Sequence, residues 1–280
     1  MNFQALKKDL ICLLEPIYGK REAENITNIY ITDRFHPTDR SRELTIDEAA
    51  MFSEDSLNLL KGMPVQYIVG KAYFFEHFFK VSPAVLIPRA ETEELVALAI
   101  SSIMTSPQKK LKVLEIGTGS GCIAISLKKK YPDLLFDAID ISEDALSIAR
   151  KNAESQQVEI NLFKLDFLDR SAWSQLGEYD MVLSNPPYIS SKEIELMPDN
   201  VLKYEPEAAL FPKGEDPNIF YKEIFEFCKR HLKERGKIIL EINQFQIETL
   251  KKHTDGFPDL EIDFHSDLQG NFRVLFAQKA

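Results

Sequence analysis

The chain reads as an α/β protein, with a mostly parallel sheet closed by a C-terminal antiparallel hairpin and preceded by a small helical bundle. Three patterns carry that reading. Apolar residues in the first 70 positions recur at helical spacing, strand and helix patterns alternate from residue 113 onward, and two β-rich runs flank a Gly-Asn pair near the end. Sustained alternation of strand and helix implies βαβ units and a parallel sheet covered by helices.

In order along the chain, Phe3, Leu6, Leu10, Leu13, Leu14 and Ile17 fall three and four apart and line one helix face. Thr45-Ile46-Asp47-Glu48 has the Thr-x-x-Glu pattern of a reciprocal helix cap. The aromatic run Tyr73 to Val81 predicts a short connecting hairpin. The helix after Pro88 carries Leu95, Val96, Leu98, Ala99 and Ile103 and ends near Thr105. Strands are expected at Val113–Ile116, Leu135–Ile139, Met181–Leu183 and Ile238–Ile242, and helices at Ile123–Leu127 and Ala145–Ala153. Leu260–Phe264 and Phe272–Phe276, joined through Gly270-Asn271, form the closing hairpin. The expected division is a helical domain over 1–72, a linking hairpin over 73–86 and an α/β domain over 87–280.

Composition bounds the function. The 280 residues are 44 % hydrophobic and 28 % charged, a balance that supports a sizeable core and excludes a disordered or collagenous chain. Length alone suggests roughly two domains at about 150 residues each. With 34 Lys+Arg against 44 Asp+Glu, the net charge is −10. That sign argues against a phosphate backbone as the main partner. Cys12, Cys122 and Cys228 make neither a disulfide framework nor a zinc site. Residues 1–14 lack the apolar core of a signal peptide, and no apolar run nears the roughly 18 residues of a membrane span. A cytoplasmic protein without metal is expected.

Glu115-Ile116-Gly117-Thr118-Gly119-Ser120-Gly121 lies between a strand and a helix. Glycine allows a tight turn and a close approach of backbone to ligand, although a purely structural turn is the alternative. Asp140 ends the next strand, 19 residues beyond Gly121, where an acid accepts ribose hydroxyls in nucleotide folds; it is equally placed to cap the helix near Ser142. The spacing serves a dinucleotide or S-adenosylmethionine. G-x-G-x-G in place of G-x-G-x-x-G favours the latter.

Asn185-Pro186-Pro187-Tyr188 leaves the end of an apolar strand. Pro-Pro loops are ordinarily just turns. At a strand end following a cofactor loop, however, this one lies where open α/β sheets bind ligands. Methylating a planar nitrogen is hard because its lone pair is conjugated. The Asn185 side-chain oxygen and the Pro186 carbonyl can each accept one N–H of an NH₂ group, turning the lone pair toward a methyl donor. Tyr188 would pack against the flat group.

These residues, together with Ile87-Pro88-Arg89-Ala90-Glu91-Thr92-Glu93 and Pro64-Val65-Gln66-Tyr67-Ile68-x-Gly70, closely resemble the release factor glutamine methyltransferases. The resemblance spans nearly the whole chain. It implies a Rossmann-like class I methyltransferase domain behind a helical domain that docks the substrate. It also implies methyl transfer from S-adenosylmethionine, leaving S-adenosylhomocysteine, to N5 of the glutamine in the Gly-Gly-Gln motif of class 1 peptide chain release factors, which modulates translation termination. By position, Gly117, Thr118, Gly119, Ser120 and Gly121 would wrap the cofactor and Asp140 its ribose. Phe167 would lie beside adenine, or simply pack in the core. Asn185, Pro186, Pro187 and Tyr188 would bind the glutamine, with Asn185, Pro186 and Tyr188 carrying the catalysis and Asn185 also touching the cofactor. Arg89 and Glu91 would shape the rim, or form a structural ion pair. A monomer is expected, with no metal, membrane or nucleic-acid partner.

The chain departs from the family at Ala90, at Asp216-Pro217-Asn218 and at Asn243-Gln244, all outside the amide clamp. Two other classes are compatible with parts of the pattern. A nucleic-acid amine methyltransferase would use the same clamp on a flipped base. It would need a target-recognition region, and fewer than 100 residues follow Tyr188. A cofactor-binding module without catalysis is opposed by the intact clamp.

Overall fold

The computed structural model describes residues 2–39, 41–108, 110–267 and 269–280. In chain order the elements are α1 (Phe3–Tyr18), α2 (Lys20–Phe35), α3 (Ile46–Leu60), α4 (Val65–Val69), β1 (Lys71–Phe74), β2 (His77–Lys80), α5 (Thr92–Met104), β3 (Lys112–Ile116), α6 (Cys122–Lys130) and β4 (Leu135–Asp140). There follow α7 (Glu143–Gln156), β5 (Asn161–Lys164), β6 (Tyr179–Ser184), α8 (Asp199–Tyr204), α9 (Glu207–Leu210), α10 (Ile219–His231), β7 (Leu232–Glu241), α11 (Ile247–Thr254), β8 (Leu260–Ser266) and β9 (Phe272–Lys279). Contacts divide the chain into two units, one of residues 1–71, 81–83 and 198–204, the other of 72–80, 84–197 and 205–280.

In the first unit Phe3, Leu6, Leu10 and Leu14 of α1 are buried with Tyr30 and Leu59 in one core. Leu13 and Ile17, expected on the same face, are 45 % and 52 % exposed. The buried stripe is therefore narrower than the run of apolar residues. The cap at Thr45 forms as its pattern requires: the Thr45 hydroxyl accepts the Glu48 N–H at 3.2 Å and the Glu48 carboxylate accepts the Thr45 N–H at 2.8 Å. Arg42 adds a bidentate bond that, with the cap, holds the Glu48 carboxyl down at about 2.

In the second unit, seven strands run in the order β5-β4-β3-β6-β7-β9-β8 among the described residues. The pairs from β5 to β7 are parallel; β9 is antiparallel to both β7 and β8. Successive side chains point to opposite faces. Leu114, Ile116, Val182, Ile238 and Leu240 accordingly join a core with α10 and α11, while Val113, Met181, Leu183 and Ile239 join a second core with α5 and α6. Strand β5, which periodicity did not reveal, is an edge strand whose side chains are mostly exposed. It carries no apolar alternation to read.

The β1–β2 hairpin turns at Phe75 and Glu76, both at positive φ, as a two-residue turn matched to strand twist demands. Asn152 of α7 binds it twice, accepting the Lys80 N–H at 2.7 Å and donating to the Lys80 carbonyl at 3.0 Å. The same Asn152 amide donates to the Ser120 carbonyl at 2.8 Å. One buried side chain thus ties the hairpin to the glycine loop, and residues 72–80 group with the sheet unit.

Candidate active site

Strand order reverses at β3: the chain goes from β3 to β4 on one side and later places β6 on the other. Open α/β sheets bind ligands at such a switch, beyond the carboxyl ends of the strands. The two loops singled out in the sequence leave these two ends. Ile116 pairs with Ser184 in the β3–β6 register, and the Ser184 hydroxyl donates to the Ile116 carbonyl at 2.7 Å. Gly117 and Asn185 therefore start side by side. A Cβ on Gly117 would stand 4.0 Å from the Asn185 carbonyl oxygen.

The loop needs its glycines for different reasons. Gly117, Gly119 and Gly121 have φ of +75°, +54° and +79°, in the left-handed region that penalises a side chain. At Gly119 a Cβ would meet nothing within 4 Å, so bare backbone borders the open cleft. At Gly121 it would come within 3.1 Å of Ile125 and 3.3 Å of Ala149, so this glycine lets α6 and α7 pack closely. Glu115 braces the turn from below, its carboxyl accepting the Thr118 hydroxyl at 2.9 Å and the Ala124 N–H at 3.2 Å. It is buried, and burial pushes its carboxyl up to about 8.

Asp140 braces the loop from the side. Its Oδ2 accepts the Gly119 N–H at 2.8 Å and its Oδ1 accepts the Ser142 N–H at 2.9 Å. The N-cap of α7 is Ser142 itself, whose hydroxyl accepts the Ala145 N–H at 3.2 Å. Asp140 is thus not the cap. It lines the cleft with one bond on each oxygen and further acceptor capacity on both. Burial raises its carboxyl above the ordinary value.

One cleft gathers most of the residues marked out in the sequence: Gly117, Thr118, Gly119, Ser120, Asp140, Phe167, Asn185 and Pro187. Gly121 and Tyr188 lie behind the lining and support it, and Pro186 is buried between Asn185 and Pro187. Phe167 combines cleft lining with core packing. It borders the cleft, yet it is buried and stacks on Trp173 with ring centroids 5.5 Å apart. Arg89 lines the cleft too, but its ion-pair partner is the buried Glu205, which also accepts the Ile87 N–H. Glu91 is exposed and is not that partner.

Against the Asn-Pro-Pro-Tyr loop lies a polar cluster that the sequence did not disclose, one member of which, Thr92, lines the cleft with Asn185. Asn185 Nδ2 donates to the Thr92 hydroxyl at 3.1 Å, Thr92 donates to Glu241 Oε2 at 2.6 Å, and the Tyr188 hydroxyl donates to Glu241 Oε1 at 2.9 Å. Burial and the Glu241 charge push the Tyr188 phenol well above its ordinary value, so it stays protonated. Asn243 and Gln246 each donate to the Tyr188 carbonyl, at 3.4 and 3.1 Å, and Asn243 also holds Glu193. The Asn243-Gln244 departure therefore brings in a residue that anchors the loop. The available signal was an acid within an apolar strand, at Glu115 and at Glu241 alike.

Among the described residues no group of three or more His, Cys, Asp or Glu could hold a metal ion, and no helix is long and apolar enough to cross a membrane. The methyltransferase small domain family model matches residues 96–216. Among solved structures, a methyltransferase from Pyrococcus furiosus shares the fold at TM-score 0.52 and 17 % identity, over 81 % of this chain and 98 % of its own. A release factor glutamine methyltransferase from Bacteroides thetaiotaomicron is 42 % identical over 79 % of this chain and 78 % of its own. One of the same description from Flavobacterium psychrophilum is 38 % identical over 98 % of both chains. With that identity sustained along almost its full length, the chain belongs to the release factor glutamine methyltransferase family.

Proposed function

We propose that the chain transfers a methyl group from S-adenosylmethionine to the side-chain amide nitrogen of the glutamine in the Gly-Gly-Gln motif of class 1 release factors, and that the cleft between the two loops is where it does so. The observation that carries this is the juxtaposition of the glycine loop and Asn185 on the paired ends of β3 and β6. The cleft fits the cofactor: bare backbone at Gly119, an acid at Asp140, and apolar walls from Ile123, Leu165 and Phe167. When bound, S-adenosylmethionine supplies an electrophilic methyl group.

The protein's own contribution is positioning. Asn185 Oδ1 and the Pro186 carbonyl are acceptors for the two amide protons, so the substrate nitrogen is held with its lone pair out of conjugation. Proline has no N–H to compete for that space. Tyr188 fixes the end of the loop through Glu241 and exchanges no proton with the substrate. Asp140 would accept the ribose hydroxyls. The protein is read as a cytoplasmic monomer acting on a protein substrate, without metal or nucleic acid.

Mass spectrometry of the Gly-Gly-Gln peptide, after incubating release factor with the protein and cofactor, tests this. A gain of one methyl on the glutamine is expected, lost when that glutamine is replaced. Methylation persisting in the replaced factor would overturn the assignment.

A further inference from the structure

An amide side chain helps this reaction in only one of its two orientations. With Asn185 Oδ1 toward the cleft it accepts a substrate N–H; turned by 180°, it presents a second donor to a donor. Which way the amide points is decided by hydrogen-bond bookkeeping, and three buried or half-buried groups set it.

The bookkeeping starts at Glu241, at the end of β7, 2 % exposed. Each of its carboxylate oxygens faces a hydroxyl, Thr92 at 2.6 Å and Tyr188 at 2.9 Å. Burial raises the Glu241 carboxyl above its ordinary value, while the Thr92 and Tyr188 hydroxyls and the Arg273 charge act the other way. As a carboxylate it only accepts, and both hydroxyls donate to it. Thr92, itself 2 % exposed at the first turn of α5, has one hydroxyl proton, and Glu241 takes it. The Thr92 oxygen then has only lone pairs left for Asn185, 3.1 Å away, so Asn185 must offer its NH₂. Its oxygen is thereby turned away from Thr92. No donor among the described residues occupies that oxygen, and Asn185 lines the cleft.

Resting on the function proposed above, we propose that Thr92, backed by Glu241, is a positioning residue that locks the Asn185 amide with its oxygen toward the substrate. It acts through Asn185 and touches neither reacting atom. The three side chains come from α5, the loop after β6 and the end of β7, so the lock also joins three elements of the site.

The test is steady-state kinetics on purified full-length protein with release factor and S-adenosylmethionine. Thr92→Val keeps the branched shape and removes the hydroxyl. It is expected to lower kcat about 10- to 100-fold, the scale of a misplaced reacting group, with KM for S-adenosylmethionine within about twofold. Thr92→Ser is expected to restore most of the rate. Because both act through one amide, adding Thr92→Val to Asn185→Ala should slow the enzyme no further. Neutron diffraction of the wild-type protein reads the same device without a variant, and should place the Asn185 deuterons toward Thr92. An active wild type whose Thr92→Val variant keeps its kcat, or an Asn185 oxygen facing Thr92, overturns the lock alone. A wild type that binds S-adenosylmethionine but leaves release factor unmethylated overturns the functional assignment beneath it.

Discussion

Glu115→Gln should change the pH dependence of folding in a direction fixed by burial. Glu115 is 1 % exposed, and its carboxyl is pushed from the ordinary 4.5 up to about 8, chiefly by burial. Between those values the native chain keeps a proton that the unfolded chain has lost, so stability falls as pH rises. Below the lower value and above the upper one this group contributes no slope. At about 1.4 kcal/mol for each tenfold change in proton concentration, the full interval is worth on the order of 5 kcal/mol, as a ceiling. The Gln amide oxygen can still accept the Thr118 hydroxyl and the Ala124 N–H. The variant is therefore expected to match wild type near pH 5 and to exceed it by several kcal/mol near pH 9. Urea denaturation of both proteins across that range measures the difference, in which other titrating groups cancel. Parallel stability curves would refute the assignment of a neutral, buried carboxyl beneath the glycine loop.

Gly121→Ala combines a left-handed backbone with contacts of 3.1 Å to Ile125 and 3.3 Å to Ala149; a loss of about 2–4 kcal/mol is expected in chemical denaturation. Gly119→Ala, with nothing within 4 Å of the new methyl, is expected to cost only about 1–2 kcal/mol, so equal losses would contradict the packing role of Gly121. Asp140→Asn places an NH₂ where one of two backbone N–H groups now finds an acceptor. Calorimetry should show S-adenosylmethionine bound about 10- to 100-fold more weakly, the scale of one unsatisfied polar group.

The parts of this site legible in sequence are those where local backbone requirements dictate residue type. Three glycines at positive φ and two consecutive prolines leave a mark that needs no knowledge of distant residues. The near-continuous apolar runs of Val113 to Ile116 and of Ile238 to Ile242, each broken by a single acid, likewise follow from each strand having two covered faces. The supporting residues are set by contacts that sequence spacing does not encode. Thr92 meets Glu241 across 149 positions and Arg89 meets Glu205 across 116. Arg89 beside Glu91 suggested a local ion pair, yet the chain carries Glu91 to the surface and brings Glu205 in from afar. Buried acids in apolar strands, Glu115 and Glu241, were the one signal available, since a buried polar group there requires partners.

The buried Glu241 bears on how the proposed clamp works without a catalytic base. The amide nitrogen of the substrate becomes acidic only once the new N–C bond has formed, so the work lies in holding it beforehand. A site for that purpose must present acceptors and no donors to the NH₂ group. In the clamp proposed above Asn185 Oδ1 and the Pro186 carbonyl would meet the requirement, but an asparagine brings a donor of its own that has to be consumed elsewhere. Thr92 consumes it, and Thr92 is free to do so because Glu241 has taken its proton. The Tyr188 hydroxyl, which would otherwise be another donor near the substrate, is absorbed by the same carboxylate. One buried carboxyl, accepting from both hydroxyls on its two oxygens, thus turns the Thr92 and Tyr188 protons toward itself and away from the proposed clamp.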